Sequence, residues 1–232
     1  MNASPAGARE PGLLAKAWAY YREYGLRALR HRIHRRRRFD IYRKELAAPP
    51  PAAGGADLDF RLAGPDDLDM LCDVLADYWG PDRREEIARR LERGDRAVLG
   101  FEAAEPGDLV YVSWLSRDDR LFEAVFGGRL GEEHACSRRI WVPPAHRGRG
   151  VAGRGLAEVE RVARAAGVGV LWAFILRSNR ASRRLHERLG YERRGTLRLG
   201  RFLGRRFAEV RWTGRRGWRK LAPIEPPSDG EG

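Results

Sequence analysis

Two cysteines in 232 residues, Cys72 and Cys136, build no disulfide framework, so a reducing, cytoplasmic setting is expected. Long apolar runs are missing too. The longest, VGVLWAFIL (Val168 to Leu176), suits a buried strand and is far too short to span a bilayer. The N-terminus has no continuous apolar stretch of the secretory kind. Lysine is scarce: only Lys16, Lys44 and Lys220 stand among 45 basic residues, so the arginine content reflects a chain-wide preference as much as phosphate contacts. No Gly-Lys-Ser/Thr triplet occurs, which excludes a Walker-type phosphate loop. There is no internal repeat, and no metal is expected.

What the chain has in excess is positive charge, +13 overall. Residues 1–46 hold +8 of it, residues 211–232 add +2, and residues 47–210 carry only +3. A near-balanced domain with a basic extension describes this better than a uniformly basic fold.

Residues 12–38 are predicted to be helical, with Leu14, Trp18, Tyr21, Leu29 and Ile33 at helical steps, Gly25 as a weak point and a basic end, HRIHRRRR. FDIYRKEL (Phe39 to Leu46) is expected to be extended, and AAPPPAAGGAD has the composition of a linker. The expected division is 1–46 extension, 47–56 linker, 57–212 catalytic domain and 213–232 tail. Within the domain, strands and helices alternate. LDFRLA is a strand, and a helix capped by Asp66 or Asp67 runs to Tyr78 with Leu68, Leu71, Cys72 and Leu75 inward. A helix over 82–92 presents Ile87 and Leu91. RAVLGFEA and DLVYVSWL form a hairpin, HACSRRIWV is a strand, and a helix over 151–166 ends at Gly167. After the strand VGVLWAFIL, a short helix from Ser178/Asn179 ends at Gly190, and RGTLRLGRFL with RRFAEVRWTG closes the sheet as a hairpin.

Four glycines crowd the segment WVPPAHRGRGVAGRG, directly before a clean helical pattern. Glycine is entropically costly to order, so such a cluster marks a place where backbone must approach a ligand closely. Gly148-x-Gly150-x-x-Gly153 satisfies the dinucleotide fingerprint literally, but its context is wrong. PPAHR separates it from its strand, and the next strand has no acidic residue to meet a ribose.

Arg147-Gly-Arg-Gly150-Val-Ala152 matches Q/R-x-x-G-x-G/A, and RSNRASRRLHERLGY follows about the pattern N-x-x-[AS]-x-x-L-Y-x-x-x-G-[FY]. With FRLAGPDDLDML upstream, residues 57–212 resemble the GNAT superfamily of acetyl-CoA-dependent N-acetyltransferases. The resemblance implies an α/β (α+β) fold, a mixed and mostly antiparallel sheet flanked by helices, here with an N-terminal basic helical extension. It implies acetyl-CoA as acyl donor, with the pyrophosphate on an anion nest at the helix start. The residues assigned to that donor are Arg147, Gly148, Arg149, Gly150, Val151, Ala152 and Gly153. Ile140, Trp141 and Val142 would lend backbone groups to the pantetheine arm, and Asn179 belongs to the second motif.

The chemistry is thinner. The family's acid is a Tyr where this chain has His186, whose imidazole can donate a proton near neutral pH. The alternative for His186 is a helix-surface position beside the cofactor. The position where some relatives carry a glutamate base is Phe174. His134 is the first candidate base and Glu133 the second, from the strand before the glycine loop. Cys136 is read as a core residue, because direct transfer needs no acyl-enzyme. At pH 7 a lysine amine of pKa about 10.4 is neutral about once in 2,500 molecules, against about one in six for an α-amine of pKa about 7.7. A site without a strong base therefore suits a low-pKa amine, an α-amine or an amino sugar.

The reading is an N-acetyltransferase moving an acetyl group directly to a small-molecule or peptide amine. Two other readings stay open: a CoA-binding module without catalysis, and a membrane- or nucleic-acid-binding protein acting through its basic helix. That helix has the look of an interfacial one contacting anionic membrane, which would make the protein membrane-peripheral. Docking on the catalytic domain is the other main reading, an organelle transit peptide is a further one, and nucleic acid is disfavoured.

Overall fold

The computed structural model describes Arg22 and residues 34–47, 57–79, 83–104, 107–117, 120–128, 130–202 and 205–221. Nine strands form one sheet: β1 His34–Glu45, β2 Leu58–Leu62, β3 Arg96–Glu102, β4 Leu109–Ser116, β5 His134–Trp141, β6 Val170–Leu176, β7 Glu192–Phe202, β8 Arg205–Trp212 and β9 Arg219–Lys220. Their order is β2-β3-β4-β5-β6-β1-β7-β8-β9. Every neighbouring pair is antiparallel except β5 and β6, which run parallel. The helices are α1 Leu68–Trp79, α2 Arg84–Glu92, α3 Arg120–Phe126, α4 Val151–Ala165 and α5 Arg180–Arg188. The mixed, mostly antiparallel sheet flanked by helices is the architecture expected from the sequence.

Strand alternation divides the core between the two faces. On one face Ala135, Leu171, Ala173 and Ile175 pack under Val151, Leu156, Val159 and Ala163 of α4. On the other face two clusters form. Leu71, Leu75 and Ile87 of α1 and α2 cover Ala97, Leu99 and Trp114. Phe122 and Val125 of α3 cover Cys136, Trp172, Ile41, Leu197 and Val210. Helix α4 approaches the sheet closely because residue 155 is glycine: a Cβ there would stand 2.3 Å from the Tyr111 ring.

The N-terminal expectation needs correction. Of residues 1–33 only Arg22 is described, so most of the expected helix over 12–38 lies outside the described residues. Its last five residues are strand, not helix: β1 starts at His34 and continues through the extended segment expected from Phe39. This strand lies in the sheet's interior, paired with β6 over Phe39–Glu45 and with β7 over His34–Arg43. The terminal hairpin β7–β8 therefore joins the sheet through β1, not directly on β6.

The physical reason is that β1 brings its own partners. Lys44 Nζ lies 2.7 Å from both carboxylate oxygens of Glu160 on α4, and Tyr42 donates to Glu187 of α5 at 2.7 Å. Buried Asp40 is ion-paired with Arg193 at 2.9 Å and Arg183 at 3.2 Å. Alternate residues face the other way: Ile41 is fully buried and Phe39 packs beside it against the α3 cluster. Among the described residues the sheet thus includes chain from residue 34 on, and a domain boundary at 57 leaves out one of its interior strands.

Candidate active site

Strands β5 and β6 pair only at their beginnings, His134 with Val170, Ala135 with Leu171 and Cys136 with Trp172. Both continue, to Trp141 and to Leu176, without further ladder contacts. Their facing edges consequently carry backbone N–H and C=O groups with no partner strand, a shape ready for an extended amide-bearing ligand.

A bulge sharpens this arrangement. Val112 pairs with Trp141 and Trp114 with Arg138, so two steps on β4 oppose three on β5. Arg139, inside it, has φ +55°, the one positive φ outside glycine among the described residues. Bulges of this kind re-aim the backbone beside active sites. Ser113 Oγ donates to the Arg138 carbonyl at 3.2 Å and holds the distortion. The Arg139 guanidinium reaches Glu86 of α2 at 3.3 Å. Burial pushes the Glu86 carboxyl upward, but the guanidinia of Arg90, Arg139 and Arg83 outweigh it and hold Glu86 below its ordinary range. An anion so held is a poor proton acceptor.

Beyond Trp141 the chain makes a 3-10 turn at Pro144–His146 and enters α4 through the glycines. Gly148 and Gly150 both have φ +81°, and a Cβ at either would meet nothing within 4 Å. The left-handed backbone, not crowding, is what asks for glycine there. Gly150 is the N-cap of α4 and no side chain caps that end. The N–H groups of Gly153 and Arg154 donate to the Gly150 carbonyl, whereas those of residues 148–152 donate to no backbone carbonyl. Successive unspent donors at the positive end of a 15-residue helix make an anion nest.

The residues assigned from sequence fall out differently. Gly148 to Ala152 form the nest, with Trp141 and Val142 just before it. Gly153 spends its N–H within the helix and faces Leu185 of α5. Arg147 donates through Nε to the Val142 carbonyl at 3.0 Å and ties the loop to the end of β5. Arg149 is 3.0 Å from Glu102 and 3.2 Å from His146 Nδ1. Asn179 caps α5, its Oδ1 accepting from the Ser182 N–H at 3.0 Å.

His134 and Glu133 are brought together, with Nε2 3.3 Å from Oε1, at the end where β5 and β6 are still paired. Trp172 Nε1 donates to His134 Nδ1 at 3.1 Å, so the neutral ring carries its proton on Nε2, toward Glu133. Cys136 is buried, and burial pushes its thiol far up, which keeps it from acting as a nucleophile. Phe174 packs against Phe122.

His186 is not on the surface. It is 2% exposed, between the rings of Tyr42 and Tyr191, and its Nδ1 stands 2.8 Å from the Ser182 carbonyl. Burial lowers its pKa, with the Ser182 bond opposing. The neutral ring therefore keeps its proton on Nδ1 and offers a lone pair at Nε2. Sequence reading missed Tyr42 and Glu187, which flank this histidine. It also missed Glu102, Asp108 and His146, whose donor atoms lie within 4.8 Å of one another beside the glycine loop.

This geometry accords with the family comparison. The acetyltransferase (GNAT) family model matches residues 68–191, more than half of the chain, and the protein belongs to that family. No curated protein matches it. Among solved structures, a GCN5-related N-acetyltransferase from Sphaerobacter thermophilus is similar over 73% of this chain and 53% of its own, with TM-score 0.55 and 21% identity. The glucosamine N-acetyltransferase region of a fungal multi-domain β-N-acetylglucosaminidase has TM-score 0.55 and 16% identity, over 82% of this chain and 23% of that one. A GNAT-family acetyltransferase from Colwellia psychrerythraea has TM-score 0.51 and 16% identity, over 74% and 59%. At these identities the likeness is one of fold, and this chain spans little more than half the length of most of these structures. Among the described residues no helix is long and apolar enough to cross a membrane.

Proposed function

We propose that the protein transfers an acetyl group from acetyl-CoA to an amine of low pKa, by direct attack. The observation that carries this reading is the unspent row of N–H donors at residues 148–152, beside the parted ends of β5 and β6. The nest would take the pyrophosphate, with Arg149 alongside. The free edges at Ile140–Val142 would take the pantetheine amides. The amine nitrogen attacks the thioester carbonyl carbon, the C–S bond breaks, the sulfur leaves as thiolate, and the amine proton passes to water.

Low pKa follows from the side chains. His134 has both nitrogens engaged, Glu86 is held ionised by three guanidinia, and His186 is neutral with its proton committed to Ser182. None of these three offers a strong base, so an acceptor already neutral near pH 7 is favoured. His186 would assist the leaving thiolate only once its Nε2 lone pair has taken up a proton from water, and His134 with Glu133, at the paired end of β5 and β6, would receive the amine proton only by way of water. The same observations support a second reading, a CoA-binding module without turnover.

Thiol release from acetyl-CoA, followed across a panel of α-amines, amino sugars and lysine side-chain amines, separates the two. Release with α-amines or amino sugars, and at least tenfold less with lysine amines at pH 7, is expected. CoA binding without release on any amine would establish the module instead.

A further inference from the structure

With β1 in the sheet, much of the positive charge falls on one arm of it, while residues 1–33 carry a further +4 and residues 221–232 carry −3. Residues 34–45 and 192–220 together hold seventeen Arg and Lys against four Asp and Glu, a net +13, which equals that of the whole chain. Residues 47–191, carrying the acetyl-donor loop, hold 22 against 23. The basic residues belong to one arm of the sheet, β1 with β7, β8, β9 and their connections. Its leading part, His34–Arg38, runs past the end of β6 and pairs with β7 over 198–202.

The arm has one apolar and one polar face. Leu197, Leu199, Val210 and Trp212 turn toward α3. Alternation puts Arg38, Arg198, Glu209 and Arg211 on the other face, where no residue of β7–β9 joins the core beneath α4. There Arg198 stands between Arg38 on β1 and Glu209 on β8, so this row of the sheet carries two cations to one carboxylate. The Arg198 guanidinium lies 3.6 Å from the Trp218 ring centre and that of Arg211 5.1 Å from it. The face therefore combines cations at strand spacing with stacked planar groups.

We propose that this face of the β1–β7–β8–β9 arm binds single-stranded nucleic acid, its arginines on the phosphates and its Trp218–guanidinium stack on unpaired bases. Charge alone fits any polyanion, but the surface chemistry selects among them. Among the described residues the exposed large apolar side chain is Leu62, on β2 at the far end of the sheet, so none of the arm's described side chains is an exposed apolar group of the kind a membrane takes up. Stacked aromatic and guanidinium planes beside a cationic track are what single strands use. The overhang of β1 lies at the C-terminal end of β6, the end where β6 has parted from β5, so bound nucleic acid would lie toward the acetyl-donor end. This goes beyond the proposed acetyl transfer and does not depend on it.

The test uses the full chain and a fluorescein-labelled, mixed-sequence single-stranded RNA of about 20 nucleotides, with anisotropy read over a salt series. Binding should weaken with salt at a log–log slope of about −0.7 per phosphate engaged. The triple variant Arg38→Glu/Arg198→Glu/Arg211→Glu should lose at least tenfold in affinity and flatten the slope by about 2. Trp218→Ala should lose about tenfold while keeping the slope. A charge-matched control, Arg84→Glu/Arg89→Glu/Arg161→Glu, should bind like the parent, and both triple variants should keep the parent's circular dichroism and CoA affinity. Equal losses in the two triple variants would overturn the proposal, because general charge would then be responsible. Binding to phosphatidylglycerol vesicles with none to RNA would overturn it in favour of a membrane surface.

Discussion

The glycine loop at 147–153 and the strand at 34–45 stand at opposite ends of what a sequence can disclose. The loop is local. Its φ values, its cap and its free donors all arise within a few residues, and the glycines that permit them are visible as letters. The strand is non-local. HRRRRFDIYRKE becomes an interior strand through Glu160 and Glu187, 116 and 145 residues away, and through two flanking strands that no local pattern reveals. Positions whose geometry is set within a few residues can be read early, whereas positions that hold a sheet together need their partners in view.

The sharpest way to break that comparison is to remove the strand. A chain starting at residue 57 keeps the whole glycine loop but lacks the strand between β6 and β7. We expect it to lose cooperative unfolding and to aggregate, since Ile41 and Tyr42 are fully buried and both new edges would be exposed. A chain starting at His34 should keep both. Thermal denaturation and gel filtration decide the matter. A soluble, cooperatively folding chain from residue 57 would return β1 to the role of a dispensable extension.

Within the strand the largest single effect is expected at Lys44. Glu160 is 2% exposed and depends on the Lys44 ammonium, with Arg164 more distant at 3.8 Å. Lys44→Met should cost about 3 kcal/mol by stranding a buried carboxylate, which lowers Tm by about 10 °C for a chain of this size. Lys44→Met/Glu160→Leu should recover most of that loss. If the double variant is no better than the single, the cause is packing by the lysine stem, not the charge.

The same contrast explains which other features were legible. The two motifs located α4, α5 and the strands before them, because periodicity, a cap residue and a C-terminal glycine act locally. Helix α3 was not foreseen. Seven residues are too few for a periodic signal, and it forms because Phe122 and Phe126 find Trp172, Phe174 and Trp212 across the sheet. The bulge at Arg139 was equally hidden, since a non-glycine residue carries the positive φ. At His186 the motif suggested a role but not an environment. The rings of Tyr42, from β1, and Tyr191 make that environment apolar.

For the loop, Gly150→Asp separates binding from folding. Aspartate tolerates the left-handed region at a cost of about 1 kcal/mol, and no neighbour obstructs its Cβ. Its carboxylate would repel a phosphate from the nest. The variant should fold with a Tm lowered by a few degrees, about 2–4 °C per kcal/mol, and lose the stabilisation by CoA that the proposed function expects of the parent. Undiminished stabilisation by CoA would remove the nest from the donor site.

The smallest effect belongs to His186, and it is read from pH. Its folded pKa is depressed by burial, so on acidification the unfolded chain takes up a proton near its ordinary value of about 6.5 while the folded ring stays neutral. Stability from this residue is therefore fully present above the unfolded pKa. It is lost as pH falls from there toward the lower folded pKa. His186→Phe keeps a planar ring between Tyr42 and Tyr191 but cannot titrate. Plotted from pH 7.5 down to about 5, a window spanning the ordinary value, parent stability should fall more steeply than that of the variant. The difference should begin near the unfolded value. His134 and His146 are common to both proteins, so their contributions cancel in the comparison. Coincident pH profiles would mean that His186 takes up its proton as readily in the folded protein, and a histidine of that kind is free to serve as the acid that the motif first suggested.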